Sequence, residues 1–253
     1  MKLRNKIALI TGASQGIGKG IAEVFAEEGA DLAVNHMGSA CQAEEVAAFA
    51  RKQGRRAIVV EADVRRRDQV ESMFERVSKE LGPVNVLVNN AGIETIVPFL
   101  DLTDEQWTDV VNVNLYGEWL CSQVFCRLAA AAGSGGSIIN IGSIQAARVL
   151  PGRSHYAPSK LAIESLTRNI SAEMGSHGIR VNCIHPGLIE TPMTDWVMKH
   201  PDPAVLTGIL GQISLGRSGK PREIGTVAAF FASEEAKYVT GQSLFVDGGW
   251  VGK

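Results

Sequence analysis

No stretch of this 253-residue sequence approaches the ~20 consecutive apolar residues that a bilayer span requires. The N-terminal MKLRNKIALITG starts basic, but its apolar run is too short for a signal peptide and leads straight into a glycine-rich turn. Cysteines are few (Cys41, Cys121, Cys126 and Cys183) and form no CxxC pair. Disulfides are therefore not expected, and the reducing cytoplasm is the expected location. The five histidines show no HExxH or other ligand spacing, so no metal site is expected. A Walker A loop is also missing, which removes the commonest nucleotide-triphosphate reading. Neither sign of charge dominates: 25 Lys+Arg face 27 Asp+Glu for a net −2. That balance argues against nucleic acid or an acidic membrane surface as partner. Linkers rich in proline and serine, internal repeats and low-complexity tracts are absent too.

Glycine is plentiful (27 residues), and 45% of the chain is hydrophobic. Short apolar runs alternate with helical patterns from end to end. The runs are Lys6–Thr11, Ala30–Asn35, Ala57–Ala62, Val84–Asn90, Ser137–Ser143, Ile179–His185 and Gln242–Asp247. Most are continuous rather than alternating, as expected of strands covered on both faces of a parallel sheet. Between them, Ile17–Glu28 carries helical apolar spacing and ends at Gly29, a C-terminal stop. Asp104–Ala131 reads as one long helix. The expectation is a single α/β domain over residues 1–253, doubly wound and Rossmann-like around a seven-stranded parallel sheet. Residues 191–215 interrupt the alternation with three prolines and several large apolar residues, and read as a partly helical lid over a cleft.

The first strand runs into Thr11-Gly12-Ala13-Ser14-Gln15-Gly16-Ile17-Gly18, which opens the first helix. The spacing is GxxxGxG rather than GxGxxG, but the physical demand is the same. Glycines allow a sharp turn and let a pyrophosphate reach the amides at a helix N-terminus. At the end of the second strand, Val34-Asn35-His36-Met37-Gly38-Ser39 lacks the carboxylate that favours NAD. His36 and Ser39 can donate to a 2′-phosphate, although no arginine or lysine clamps it. NADP is therefore the favoured cofactor and NAD remains open.

Tyr156 and Lys160 are four residues apart, on one face of a helix. An ammonium beside a phenol favours the phenolate, and a phenol tuned that way can exchange a proton with an alcohol or ketone. Alone, the pair is equally consistent with packing and solvation. Ser143 follows a strand at its C-terminal end, where open α/β sheets bind ligands, and its hydroxyl can reach a substrate oxygen. Asn114, set among Val111, Val113 and Leu115, either needs a buried partner or faces solvent.

Together these residues resemble the single-domain type of the short-chain dehydrogenase/reductase family over essentially the whole chain. The matching motifs are Thr11–Gly18, Asp63-Val64, Asn89-Asn90-Ala91-Gly92, Asn114, Ser143, Tyr156-Ala157-Pro158-Ser159-Lys160, and Pro186-Gly187 followed by Thr191. The resemblance implies that Tyr156 is the general acid/base and that Ser143 polarises the substrate oxygen. By the same resemblance, Lys160 lowers the tyrosine pKa and holds the nicotinamide ribose, and Asn114 anchors a water in the proton relay. Gly12, Ser14, Gln15, Gly16, Ile17 and Gly18 would take the pyrophosphate side. Asp63 and Val64 would contact the adenine, Asn90 the adenosine-side ribose, and Ile189 and Thr191, after Pro186-Gly187, the carboxamide. Gly92 would permit close approach. Family members commonly assemble as homotetramers, and Gly241–Gly249 resembles the C-terminal region involved.

Fold and catalytic residues do not fix the substrate. Glu94, after Ala91-Gly92-Ile93, and His155, beside Tyr156, resemble the bacterial glucose 1-dehydrogenase branch, and a carboxylate and an imidazole suit sugar hydroxyls. With Ser143, Gln145 and Tyr156 they form the expected substrate-binding set for a sugar or polyol. Glu94 as a solvated loop charge and His155 pointing outward remain open on the residues alone. The alternative is a 3-oxoacyl-acyl-carrier-protein reductase, which would present basic residues to an acidic carrier. Arg127, Arg148 and Arg153 are candidates, though scattered. A non-catalytic dinucleotide-binding protein is a distant third reading, against which the intact Ser143, Tyr156 and Lys160 argue.

Overall fold

The computed structural model describes residues 1–252. Among them, seven strands form one all-parallel sheet in the order 3-2-1-4-5-6-7. The strands are β1 (Ile7–Ile10), β2 (Asp31–His36), β3 (Ala57–Glu61), β4 (Val86–Asn89), β5 (Gly136–Ile141), β6 (Ile179–Pro186) and β7 (Ser243–Val246). All lie within about two residues of the sequence runs. The helices are α1 (Gly16–Glu27), α2 (Ala40–Lys52), α3 (Arg67–Glu80), α4 (Asp104–Val111), α5 (Gly117–Ala132), α6 (Tyr156–Met174), α7 (Asp195–Met198), α8 (Pro203–Leu210) and α9 (Pro221–Ala232).

The continuous apolar strands have a direct cause. In β1, Ala8 and Ile10 enter a core shared with α1, α2 and α9, while Ile7 and Leu9 enter a second core shared with α3 and α5. Successive side chains point to opposite faces, and here both faces are covered, so no polar alternation survives. The chain winds outward from β1 to β3, then crosses back and winds outward from β4 to β7. The crevice beyond the C-terminal ends of β1 and β4 is the topological switch point at which such sheets bind ligands.

Gly29 ends α1 as expected: it adopts φ +97°, and the Ala30 amide donates to the Phe25 carbonyl at 2.9 Å. The long helix expected over Asp104–Ala131 is corrected. It divides into α4 and α5 around a π-helical turn at Asn112–Tyr116. The turn coincides with Asn114, which is fully buried and held by both backbone groups of Ile93. Single π turns of this kind are frequent at functional sites. Residues 191–215 form a short turn, α7 and α8. Val197 and Ile213 from this segment join Ile144, Leu188 and Trp250 in a small apolar cluster separate from the two main cores. No helix among the described residues is long and apolar enough to cross a membrane.

Candidate active site

A cleft of about 530 Å³ opens at the switch point. One end is built by the glycine-rich turn. Gly12 and Gly16 adopt φ +60° and +57°, which side-chain-bearing residues rarely adopt. A Cβ at Gly18 would lie 2.5 Å from Asn90 Nδ2 and 2.6 Å from the Gly12 carbonyl. The N-cap of α1, Gln15, makes no side-chain capping bond. The first-turn amides are thus left for an anion, so these residues fit the pyrophosphate of a dinucleotide. The turn is braced from two sides. Thr11 Oγ1 accepts from the amides of Asn90 (2.9 Å) and Ala91 (3.0 Å), and Asn35 Oδ1 accepts from the Gly12 amide at 3.1 Å.

Ser14, Gln15, Gly16, Ile17, His36, Ser39, Asp63, Val64, Asn90 and Gly92 line this end, and Pro186, Gly187, Ile189 and Thr191 close it from the β6 side. Some of their side chains are already committed. Asn90 Nδ2 donates to the carbonyls of Thr11 (2.9 Å) and Gly12 (3.0 Å), so it supports the turn from behind. Asp63 is paired with Arg65, whose guanidinium holds its carboxyl below the usual range. Ser39 donates to the Ser14 hydroxyl at 2.8 Å, and its amide donates to His36 Nδ1 at 3.3 Å. Asn35, which no motif singles out, also donates to the Ala62 carbonyl at 3.1 Å. Glu61 at the end of β3, which pairs with His36, also places a carboxylate near Gly38, with Oε1 accepting from that amide at 3.2 Å.

The centre of the cleft holds Ser143, Tyr156 and Lys160. Tyr156 starts α6 and Lys160 follows one turn later, both buried. Lys160 Nζ donates to the Ile141 carbonyl at the end of β5 (2.7 Å) and lies 6.0 Å from the Tyr156 ring centroid. The Ser143 hydroxyl draws the Tyr156 phenol down and accepts from the Gln145 amide at 3.2 Å. The Ser143 backbone N lies 3.1 Å from Nδ1 of His185, a buried imidazole stacked on Phe245. Asn114 stands behind the cleft. Its amide bonds Ile93 N (2.9 Å) and O (3.0 Å) and reaches Ser159 Oγ at 3.4 Å. A Cβ at Gly92 would lie 3.3 Å from Asn114 Oδ1 and 3.6 Å from Lys160 Nζ, so glycine lets the two polar groups converge there.

Electrostatics in this centre differ from the sequence expectation. Burial, with the Glu94 charge, pushes the Tyr156 phenol above its ordinary value. The Ser143 hydroxyl and the Arg153 guanidinium act in the lowering direction. Burial also pulls the Lys160 ammonium down. In the protein alone desolvation wins, and the phenol is held protonated.

The far end of the cleft gathers side chains from separate loops. Glu94 forms an ion pair with Arg153, their side chains 9% and 5% exposed. Gln145 Nε2 donates to Glu94 Oε1 at 3.2 Å, while Gln145 Oε1 is buried without a partner. The Arg153 guanidinium lies 5.1 Å from the Trp196 ring. Trp250, near the C-terminus, is buried in the same end and sits under Arg148 at 5.5 Å. Arg153, a candidate on sequence grounds to receive an acidic carrier, is instead buried in its pair with Glu94. His155 does not line the cleft. It is fully buried, with Nε2 2.6 Å from Thr95 Oγ1, and it fixes the loop that carries Glu94. Residue 155 points about 100° around the helix from residue 156, so proximity in sequence did not become proximity in the site.

A family model described as enoyl-(acyl carrier protein) reductase matches residues 12–251. The 3-oxoacyl-acyl-carrier-protein reductase FabG of Staphylococcus epidermidis is 39% identical over 245 residues, covering 97% of this chain and 98% of that protein. Among solved structures, a gluconate 5-dehydrogenase from Burkholderia cenocepacia J2315 in complex with NADP and tartrate superposes with a TM-score of 0.93 at 33% identity. It covers 100% of this chain and 97% of that one. A short-chain type dehydrogenase/reductase from Mycobacterium marinum gives 0.91 at 34%, over 98% and 96%. A match running from the glycine-rich turn to the C-terminal tail at these identities leaves one conclusion: the chain belongs to the short-chain dehydrogenase/reductase family of oxidoreductases.

Proposed function

We propose that the protein transfers a hydride between a nicotinamide dinucleotide and a secondary alcohol or its carbonyl, and that the substrate is a sugar, polyol or sugar acid. The nicotinamide, when bound, accepts or gives the hydride at the substrate carbon. The amides opening α1 would hold its pyrophosphate, Asp63 and Val64 would meet the adenine, and Ile189 and Thr191 the carboxamide, all of them lining the cleft. Tyr156 moves the proton. In reduction its phenol gives the hydroxyl proton to the carbonyl oxygen; in oxidation the phenolate takes that proton back from the alcohol. The Ser143 hydroxyl, in the same cleft as the phenol, donates to the same substrate oxygen. The Lys160 ammonium holds the ribose and, with Asn114 behind it, carries protons away from the phenol. A phenol kept protonated by burial is ready for the reductive direction.

One observation carries the substrate class. Glu94, Gln145 and Arg153 form a buried polar cluster in the same cleft as Tyr156, and Gln145 Oε1 is left without a partner. A substrate rich in hydroxyls can donate to that oxygen and to the Glu94 carboxylate, whereas an acyl chain leaves the Gln145 oxygen unpaired. The second reading, a ketoreductase acting on acyl carriers, draws on the 39% identity to FabG. It needs exposed cations around the mouth, but Arg153 is buried in its pair, and Arg148 is bonded to Gln212 and stacked on Trp250. Ser14, His36 and Ser39 support NADP, and NAD stays possible because no fixed cation faces them. The exposed Trp107, Tyr116 and Leu161, and Tyr238 and Leu244 near the C-terminus, suit burial between copies in a homotetramer. Its proposed setting is the cytoplasm. A panel of sugars, polyols, sugar acids and β-ketoesters, run with both cofactors and followed at the nicotinamide absorbance band, tests the reading. Turnover of β-ketoesters alone would overturn the substrate class.

A further inference from the structure

Ser143 is held at its backbone by a residue that no motif singles out. The paired register of β5 and β6 ends at Ile141, two residues short of Ser143. Beyond it, the acceptor that the Ser143 amide meets among the described residues is Nδ1 of His185, at 3.1 Å. The Ser143 carbonyl also lies 2.9 Å from Nδ1, but it already accepts from the Ala146 amide at 3.0 Å. His185 comes from β6, is fully buried, and stacks on Phe245 of β7 with ring centroids 4.7 Å apart. A Cβ at residue 142 would lie 2.4 Å from Nδ1, so glycine at that position is what lets the imidazole reach the backbone of Ser143.

The opposite ring nitrogen faces α6. Nε2 lies 3.7 Å from a carboxylate oxygen of Glu164 and 3.5 Å from the Cys183 sulfur. Glu164, itself paired with Arg168, follows Lys160 by four residues, as Lys160 follows Tyr156, so all three share one face of the helix. The end of β5 is therefore tied to that face twice. Ile141 is bonded directly, its carbonyl accepting from Lys160 Nζ at 2.7 Å, and Ser143 is linked through His185 to Glu164.

Hydrogen-bond accounting places the imidazole proton. A buried amide needs an acceptor, and Nδ1 serves the Ser143 amide only if it carries no proton. The proton then belongs on Nε2, beside the Glu164 carboxylate. Burial favours the uncharged ring, as does the Lys160 ammonium, while the Ser143 carbonyl acts the other way.

We propose that His185, as its Nε2–H tautomer, is a positioning residue that holds the Ser143 backbone and thereby aims the Ser143 hydroxyl at the substrate oxygen beside Tyr156. The proposal rests on the roles given above to Ser143 and Tyr156.

His185→Phe keeps a ring to stack on Phe245 and removes both nitrogens. Its kcat should fall roughly tenfold, with KM and NADPH affinity within about twofold of wild type. His185→Asn, whose amide oxygen can take the place of Nδ1, should recover most of the loss. The decisive comparison is the double variant. In a Ser143→Ala background, His185→Phe should change kcat by less than about twofold, because the hydroxyl that it aims is gone. A comparable loss in both backgrounds, or no loss in the wild-type background, overturns the proposal. Independently, nitrogen-15 spectra of the wild-type protein, with His185 identified by its nuclear Overhauser contact to Phe245, should show an imidazole protonated at Nε2 alone. Protonation at Nδ1 overturns the proposal even if no variant folds. Failure of the underlying scheme looks different: Ser143→Ala and Tyr156→Phe would then keep their turnover.

Discussion

The two ends of the cleft are built in opposite ways. The end that takes the dinucleotide is mostly backbone: left-handed glycines, uncapped first-turn amides, and side chains such as Asn90 and Asn35 spent on holding carbonyls and amides in place. The far end is mostly side chain: Glu94, Gln145 and Arg153 come from different loops, Trp196 from α7 and Trp250 from the tail. Backbone sites are fixed by where strands and helices end, so they tolerate little change. Side-chain sites can be altered without disturbing the frame, which is how one fold serves many substrates.

Substitutions can break or sharpen this contrast. The largest effect is expected at the junction of the two ends. Tyr156→Phe should lower kcat by about a thousandfold while cofactor affinity, read by NADPH fluorescence, stays within about twofold. A parallel loss of affinity would mean that the two ends are not separable. Next is Glu94→Ala, which strands Arg153 as a buried charge and should cost about 3 kcal/mol in urea unfolding. It should also raise KM for a polyol about tenfold more than KM for a simple ketone; equal rises would remove Glu94 from the recognition of hydroxyls. Gly18→Ala tests the backbone end. The added methyl meets Asn90 and the Gly12 carbonyl, so stability should fall by about 1–3 kcal/mol and dinucleotide affinity should drop with it, while the Glu94 pair stays intact. The smallest effect is Ser39→Ala, expected to weaken NADPH about fivefold and leave NADH unchanged. A wild-type preference for NADH of about a hundredfold, in side-by-side titrations, would reverse the cofactor reading.

The same contrast explains what the sequence discloses. Ile7–Ile10 is apolar at every position because both of its faces are covered, so the strand is visible in one short window. Gly12, Gly16, Ser143 and Tyr156 sit at element ends and Lys160 one turn inside α6, where local pattern and position coincide. Arg153 is different. It looks like a lone cation in a Gly/Pro loop until Glu94, 59 residues earlier, arrives to neutralise it. The contact of Arg148 with Trp250 spans 102 residues and has no local signature. The π turn escapes because five residues with a longer repeat are lost within an otherwise regular helical pattern. The phenol of Tyr156 shows a further limit: spacing reveals the neighbouring ammonium, but not the desolvation that raises the phenol.

That five-residue bulge amounts to one surplus amino acid wound into a continuous rod. Each residue in a regular helix advances the azimuth by about 100°. Excising one position between 112 and 116 would therefore swing everything downstream round the axis, carrying the buried Glu118 and Ser122 away from the sheet and toward the outside. The insertion works as a phase adjuster, letting α4 and α5 satisfy different neighbours without breaking the rod between them.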